Sequence, residues 1–393
     1  MAESFISINN TKIHKQYKLH TNTKKKSKSK SKYSNIYTTK HSISKNTQSF
    51  ENSHKLSRTL LLGCHASIAN GIIEGIKYVE SIGGNAVQIF LGSNRSASLK
   101  TKHKFIGQNE IDEIKNYVTR NKICLIIHSI YLLNFCKYPP SGHNTYMHDN
   151  IQYDLKYGAM LGVKCVVLHL GSRTNMDMDT SINNLVSNIN KIINNMPDGI
   201  MISLETSAGS GKQIGWNLEE LSIIWNQIKH NNKTKTIKTK TIKTKSIKTK
   251  TIKTKTIKTT KTETTNTNEN KVGICIDTAH IFVSGYDIST LSGITEYMKK
   301  FDSLIGIKNI TNFHINDSKY ALGTKHDEHR GIGQGLIYNS DESKKALLYI
   351  KKICIKHKIS MILETHSAGS LDSEGSHKGD YGYEYEIDLI KKL

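Results

Sequence analysis

KCVVLHLGSRTNMDMDTSINNLVSNINKIINNMPDGIMISLE, residues 164–205, decides the architecture. After Lys164 the next six residues form a short apolar run broken only by His169, and IMISLE (200–205) is a second such run, ending in Glu205. Between them SINNLVSNINKIINN (181–195) repeats its aliphatic residues at three- and four-residue intervals. A short run without polar alternation fits a strand buried on both faces, and the 3.6-residue period fits an amphipathic helix. Strand, helix and strand in that order form one βα repeat and the start of the next.

The same unit recurs in both directions. Apolar runs stand at 59–65, 86–91, 122–128, 164–170, 200–205, 272–277, 310–316 and 360–364. Amphipathic segments such as 74–83, 109–120, 181–195, 218–229 and 340–353 separate them. Eight buried strands, each followed by a helical segment, describe a (β/α)8 TIM barrel over 59–393. Periodicity alone also allows a doubly wound open sheet.

The charge lies outside this pattern. The 393 residues carry a formal net charge of +23. Residues 1–58 hold 13 Lys and Arg against two acids, and residues 233–271 hold 13 Lys against two acids, a net of +11 each. The remainder is nearly neutral. The first segment includes KKKSKSKSK (24–32) and is expected to be a disordered basic tail. The second repeats TIKTK with one Ile per unit, too little to build a core, and is expected to be a low-complexity insert in a surface loop. Both are candidates for non-specific contact with phosphate backbones. No run approaches the roughly 20 apolar residues of a membrane helix, and no secretory signal opens the chain. The six cysteines form no CxxC pair and are read as buried free thiols. A soluble, intracellular protein is expected.

In a (β/α)8 barrel, chemistry resides at the C-terminal ends of the strands. Strands three to eight here end in His128, His169, Glu205, Asp277, His314 and Glu364. Three imidazoles and three carboxylates converging on one cavity would repel and desolvate one another without cations. His280 lies three residues beyond Asp277, and Asp327 and His329 are spaced so that an extended loop points both the same way. Nine donors exceed what one or two tetrahedral ions use and suit three ions if one carboxylate bridges. Nitrogen and oxygen donors without thiolate favour Zn²⁺ and admit Mn²⁺ or Fe²⁺. A trinuclear centre suits phosphodiester hydrolysis.

The segments IHSIYLLN (127–134), VVLHLGS (166–172), SLETSAGSGKQIG (203–215), GICIDTAHIFVSGYD (273–287), FHINDSK (313–319), KHDEHRGIGQG (325–335) and ILET (362–365) resemble the endonuclease IV family of apurinic/apyrimidinic endonucleases. The resemblance implies three zinc ions and cleavage of duplex DNA on the 5′ side of an abasic site, leaving a 3′-hydroxyl. It implies that His128, His169 and Glu205 hold one zinc and that Glu205, Asp277, His314 and Glu364 hold a second. His280, Asp327 and His329 would hold the third. Glu364 would orient or deprotonate the nucleophile. Arg95, Tyr131 and Leu132 would enter the base stack, and His65 would contact phosphate or fill the rim. Members of the family usually act as monomers. Glu328 departs from the family, which usually has Arg there, and Arg330 is the candidate to replace that contact. Two other readings remain open: a metal-dependent sugar isomerase or epimerase on a related barrel, for which a third metal has no use, and a non-catalytic DNA-binding protein.

Overall fold

The computed structural model describes residues 60–105, 107–139, 145–233, 271–365 and 382–393. The expected basic tail, and the expected insert apart from Lys233 and Lys271, lie outside these residues. Each apolar run forms a strand: β1 (Leu61–His65), β2 (Ala86–Ile89), β3 (Cys124–His128), β4 (Cys165–His169), β5 (Met201–Glu205), β6 (Val272–Asp277), β7 (Ile310–His314) and, after a two-stranded ribbon, β10 (Ser360–Leu363). The ribbon consists of β8 (Asp317–Ser318) and β9 (His329–Arg330). The eight long strands are all parallel, and β1 pairs with both β2 and β10, closing a barrel. This settles the choice between barrel and open sheet.

Helices pack outside the strands. Met178–Asn195 shows why they form: the Asp177 side chain accepts the Thr180 N–H at 2.8 Å and caps the first turn. Its Ile182, Leu185, Val186, Ile189, Ile192 and Ile193 make one buried stripe against the sheet. The helix Thr145–Leu161 is less visible in sequence, because its buried face includes His148, Asn150 and Asp154. Asp154 meets Lys102 Nζ at 2.7 Å with both side chains out of water. Inside the barrel, Ile126, Val167, Ile362, Cys165 and Cys275 pack in one cluster. Beside it, with Ser203 level with Val167 and Asn312 level with Cys275, Ser203, Thr311 and Asn312 hydrogen-bond to one another, satisfying polar groups that burial would otherwise penalise. All six cysteines are free thiols, five buried and Cys124 half-buried. Among the described residues no helix is long and apolar enough to cross a membrane.

Candidate metal centre

Strand register places the donors side by side. His169 is level with Glu205 across β4 and β5, and Asp277 is level with His314 across β6 and β7. His128 ends β3, and Glu364 directly follows β10. The closed barrel turns these six ends toward a common centre. Glu205 occupies that centre. Its Oε2 lies 3.2 Å from His128 Nε2 and 3.1 Å from His169 Nε2, and its Oε1 lies 2.9 Å from His314 Nδ1 and 3.7 Å from His280 Nδ1.

The third cluster is assembled by loops. Asp277 ends β6 and caps the short helix Thr278–Val283, its Oδ1 accepting the His280 N–H at 2.9 Å, which fixes the three-residue offset between these two side chains. In the ribbon, His329 pairs with Ser318. The Asp317 carboxylate accepts backbone N–H groups from Gly333, Gly335, Ile337 and Tyr338, pinning the chain that follows His329. A Cβ at Gly335 would stand 2.4 Å from Asp317 Oδ1, so only glycine allows that approach. Asp327 then reaches His280 Nε2 at 2.9 Å and His329 Nε2 at 3.3 Å.

In three of the five imidazoles the second ring nitrogen has a partner that selects the tautomer. His128 Nδ1 donates to the Ser129 carbonyl and His280 Nδ1 to the Thr206 carbonyl, both at 2.7 Å. His314 turns the other way: Nε2 donates to Gln88 Oε1 at 2.9 Å, and Nδ1 faces Glu205 and Glu364. Asn316 bridges two of the acids, donating to Asp277 Oδ2 at 2.7 Å while its Oδ1 accepts the Glu364 N–H at 2.9 Å. Sequence reading missed Gln88 and Asn316. Both are buried polar residues, Gln88 between Val87 and Ile89 and Asn316 just past β7 between Ile315 and Asp317, and neither neighbourhood marks them as partners of the donors.

Burial works against every charge here. For Glu205 the imidazoles of His169 and His314 outweigh it and hold the carboxyl well below the usual carboxylate range. For His280 the carboxylates of Asp277 and Asp327 outweigh it and raise the imidazole well above its ordinary value. Acids and imidazoles thus neutralise one another by sharing protons, a role that cations held by the same donors would take over.

Three sets of donors have ligand atoms within 4.8 Å of one another: His128, Glu205 and His314; Glu205, Asp277, His314 and Glu364; and Asp277, His280 and His329. The second matches its expected set residue for residue. The first differs in grouping His314 rather than His169, and the third in grouping Asp277 rather than Asp327, although His169 and Asp327 each stand within 3.3 Å of a member. The buried His329 Nε2 points between Asp327 and Asp277 without making a hydrogen bond to either. An unpartnered buried nitrogen aimed at two carboxylates fits a site built for cations, and so does a donor set of imidazoles and carboxylates alone.

The remaining candidates lie around this centre. The Tyr131 ring packs edge-on against His128, His169 and Phe90, yet the residue is 49% exposed, and its neighbour Leu132 is 48% exposed. Arg95 is exposed on the adjoining loop, which is tied to Tyr131 by a hydrogen bond from its N–H to the Asn94 carbonyl at 3.2 Å. His65 lies within the barrel mouth, its Nδ1 3.2 Å from Gln88 Nε2 and its ring against Phe90. Burial, only partly opposed by Glu364, lowers its pKa to about 4, so it is a neutral ring. Glu328 is balanced by Lys319 Nζ at 3.4 Å, and Arg330 turns toward it at 3.9 Å.

A family model described as a xylose isomerase-like TIM barrel matches residues 76–236 and 254–393. An endonuclease 4 of Acanthamoeba polyphaga mimivirus is 27% identical over 334 residues, 84% of this chain and 92% of that protein. An endonuclease 4 of Haloquadratum walsbyi is 26% identical over 339 residues, 85% of this chain and 98% of that protein. The crystal structure of endonuclease IV from Thermus thermophilus superposes with a TM-score of 0.57 at 20% identity, covering 84% of this chain and 99% of that one. A closed parallel barrel, a rim of nine acidic and imidazole donors and these likenesses agree: the chain belongs to the xylose isomerase-like TIM barrel family, on its endonuclease IV branch.

Proposed function

We propose that this nuclease hydrolyses the phosphodiester bond 5′ to an abasic site in duplex DNA, using three zinc ions and leaving a 3′-hydroxyl and a 5′-deoxyribose phosphate. The observation that carries the reading is the convergence of nine donors in overlapping groups around Glu205. In this reading His128, His169 and Glu205 hold one zinc, Glu205, Asp277, His314 and Glu364 a second, and His280, Asp327 and His329 a third. Zinc supplies Lewis acidity, lowering the pKa of water toward neutrality and offsetting charge on the phosphate.

Glu364 takes the proton of the attacking water as the new P–O bond forms, and the upstream 3′-oxygen leaves as the old one breaks and takes up a proton from solvent to become the 3′-hydroxyl. Its Oε2, 3.0 Å from His314 Nδ1, faces the centre, and its Oε1 is held from behind by Gln88. Tyr131 and Leu132 present an aromatic and an aliphatic side chain to solvent directly above the donors, where they fill the gap that an extruded nucleotide leaves in the base stack. Arg95 acts beside them. An abasic nucleotide has no base pair to break, which makes it the cheapest one to turn out of the helix.

The test is incision of a duplex oligonucleotide bearing one central abasic site, with zinc content measured on the same sample. Incision on the 5′ side by protein holding about three zinc ions per chain is expected. Fully loaded protein that leaves the duplex intact would overturn the reading.

A further inference from the structure

We propose that Gln88 is the positioning residue that sets how His314 and Glu364 face the metal centre, an inference that rests on reading the rim as such a centre. Gln88 is fully buried in a strand whose other members, Ala86, Val87 and Ile89, are apolar and fully buried. An amide in that place loses its water, so its hydrogen bonds must be made within the protein. They are. Nε2 lies 2.5 Å from Glu364 Oε1 and 3.2 Å from His65 Nδ1, and Oε1 lies 2.9 Å from His314 Nε2.

The chemistry of the partners fixes the orientation of the amide. An ionised carboxylate only accepts, so the NH₂ end must face Glu364 and the oxygen end His314. An amide oxygen also only accepts, so His314 carries its proton on Nε2. That leaves the Nδ1 lone pair for the centre, where Glu205 Oε1 lies at 2.9 Å and Glu364 Oε2 at 3.0 Å. One side chain therefore determines the donor atom of one ligand and the rotation of another, across 226 and 276 residues of sequence. His128 and His280 receive the same service from backbone carbonyls, which no substitution removes. At His314 it depends on a replaceable side chain.

The alternative role is that of a polar plug filling the barrel. Gln88→Met separates the two, because methionine has nearly the same length and volume but neither donates nor accepts strongly. The measurements are metal affinity by chelator competition, the visible spectrum of the cobalt-substituted protein, melting of the metal-free protein, and kcat and KM on an abasic duplex. Loss of a partner behind a ligand typically lowers metal affinity 10- to 100-fold. We expect a loss of that size at one site, an altered cobalt spectrum and a reduced kcat, with KM within about twofold and the melting of the metal-free protein unchanged. Unchanged affinity and spectrum in Gln88→Met would make Gln88 a plug and overturn the proposal. A second measurement needs no variant: ¹H–¹⁵N correlation of the histidine ring nitrogens in the zinc-loaded wild type, with His314 assigned by its substitution. A proton on Nε2 supports the proposal and a proton on Nδ1 overturns it. If the wild type fails to incise abasic DNA while Gln88→Met still loses metal, the nuclease reading falls and the positioning role stands. If the wild type incises and Gln88→Met keeps its affinity, the reverse holds.

Discussion

Replacing Glu386 with glutamine should stabilise the protein by an amount that grows with pH. Glu386 lies on the helix Gly382–Lys392, 1% exposed, with both carboxyl oxygens 3.0 Å from Thr365 Oγ1. Burial, only partly offset by hydrogen bonds from Thr365 and from the Ile332 backbone, raises its pKa from 4.5 to about 8. Below the lower value the group is protonated in folded and unfolded chains alike and has no effect on stability. Between the two values the unfolded chain gives up a proton that the folded chain keeps, so stability falls by about 1.4 kcal/mol per pH unit. The loss amounts to about 3 kcal/mol at pH 7 and levels off near about 5 kcal/mol above pH 8. Glutamine has the same shape and no proton to lose, so it escapes this loss, less whatever its amide gives up against Thr365. The assay is urea unfolding of both proteins at equal zinc concentration from pH 4.5 to 9. Only the difference between them is read, which cancels the pH dependence of the metal ligands. A variant less stable than the wild type at pH 8, or a difference that does not change with pH, would refute the reasoning.

Three further outcomes are expected. Glu364→Gln should keep affinity for an abasic duplex within a few-fold in a gel-shift assay while cleavage falls at least about a hundredfold; loss of binding would count against its role as proton acceptor. Lys102→Met should cost about 3–5 kcal/mol in thermal or urea unfolding, because it strands Asp154, whose Oδ2 already has no partner and whose pKa burial lifts to about 6 against the pull of Lys102. Adding Asp154→Leu to that variant should recover most of the loss. Removing residues 1–58 and 233–261 should flatten the dependence of DNA affinity on salt, by about 0.9 in the log–log slope for each phosphate that those lysines neutralise, and leave the single-turnover rate unchanged.

The barrel was legible because a parallel sheet covered on both faces needs apolar strands, and runs such as CVVLH and VGICID have few other uses. The donors were legible because strand ends are where such a barrel gathers side chains. What escaped was polar and interior. Gln88 sits in AVQIF, where apolar neighbours hide it, and its partners are 226 and 276 residues away, a pairing that only register across β1 creates. Asp317 looks like one more loop acid, yet it gathers the N–H groups of a turn about 20 residues on. The pairing of Lys102 with Asp154 joins a loop to a helix whose mixed buried face weakens its period. Local pattern reports which residues leave water. It does not report which buried polar groups find each other.

The seam between β1 and β10 carries a consequence for biosynthesis. β1 acquires its second neighbour only after Ser360–Leu363 has left the ribosome, and Glu364 emerges with that strand. Until then β1 and β7 each present an unpaired edge, the kind of surface that recruits other chains. A transcript cut short or a stalled chain therefore yields no weakened enzyme, only an open sheet lacking a donor, suited to degradation.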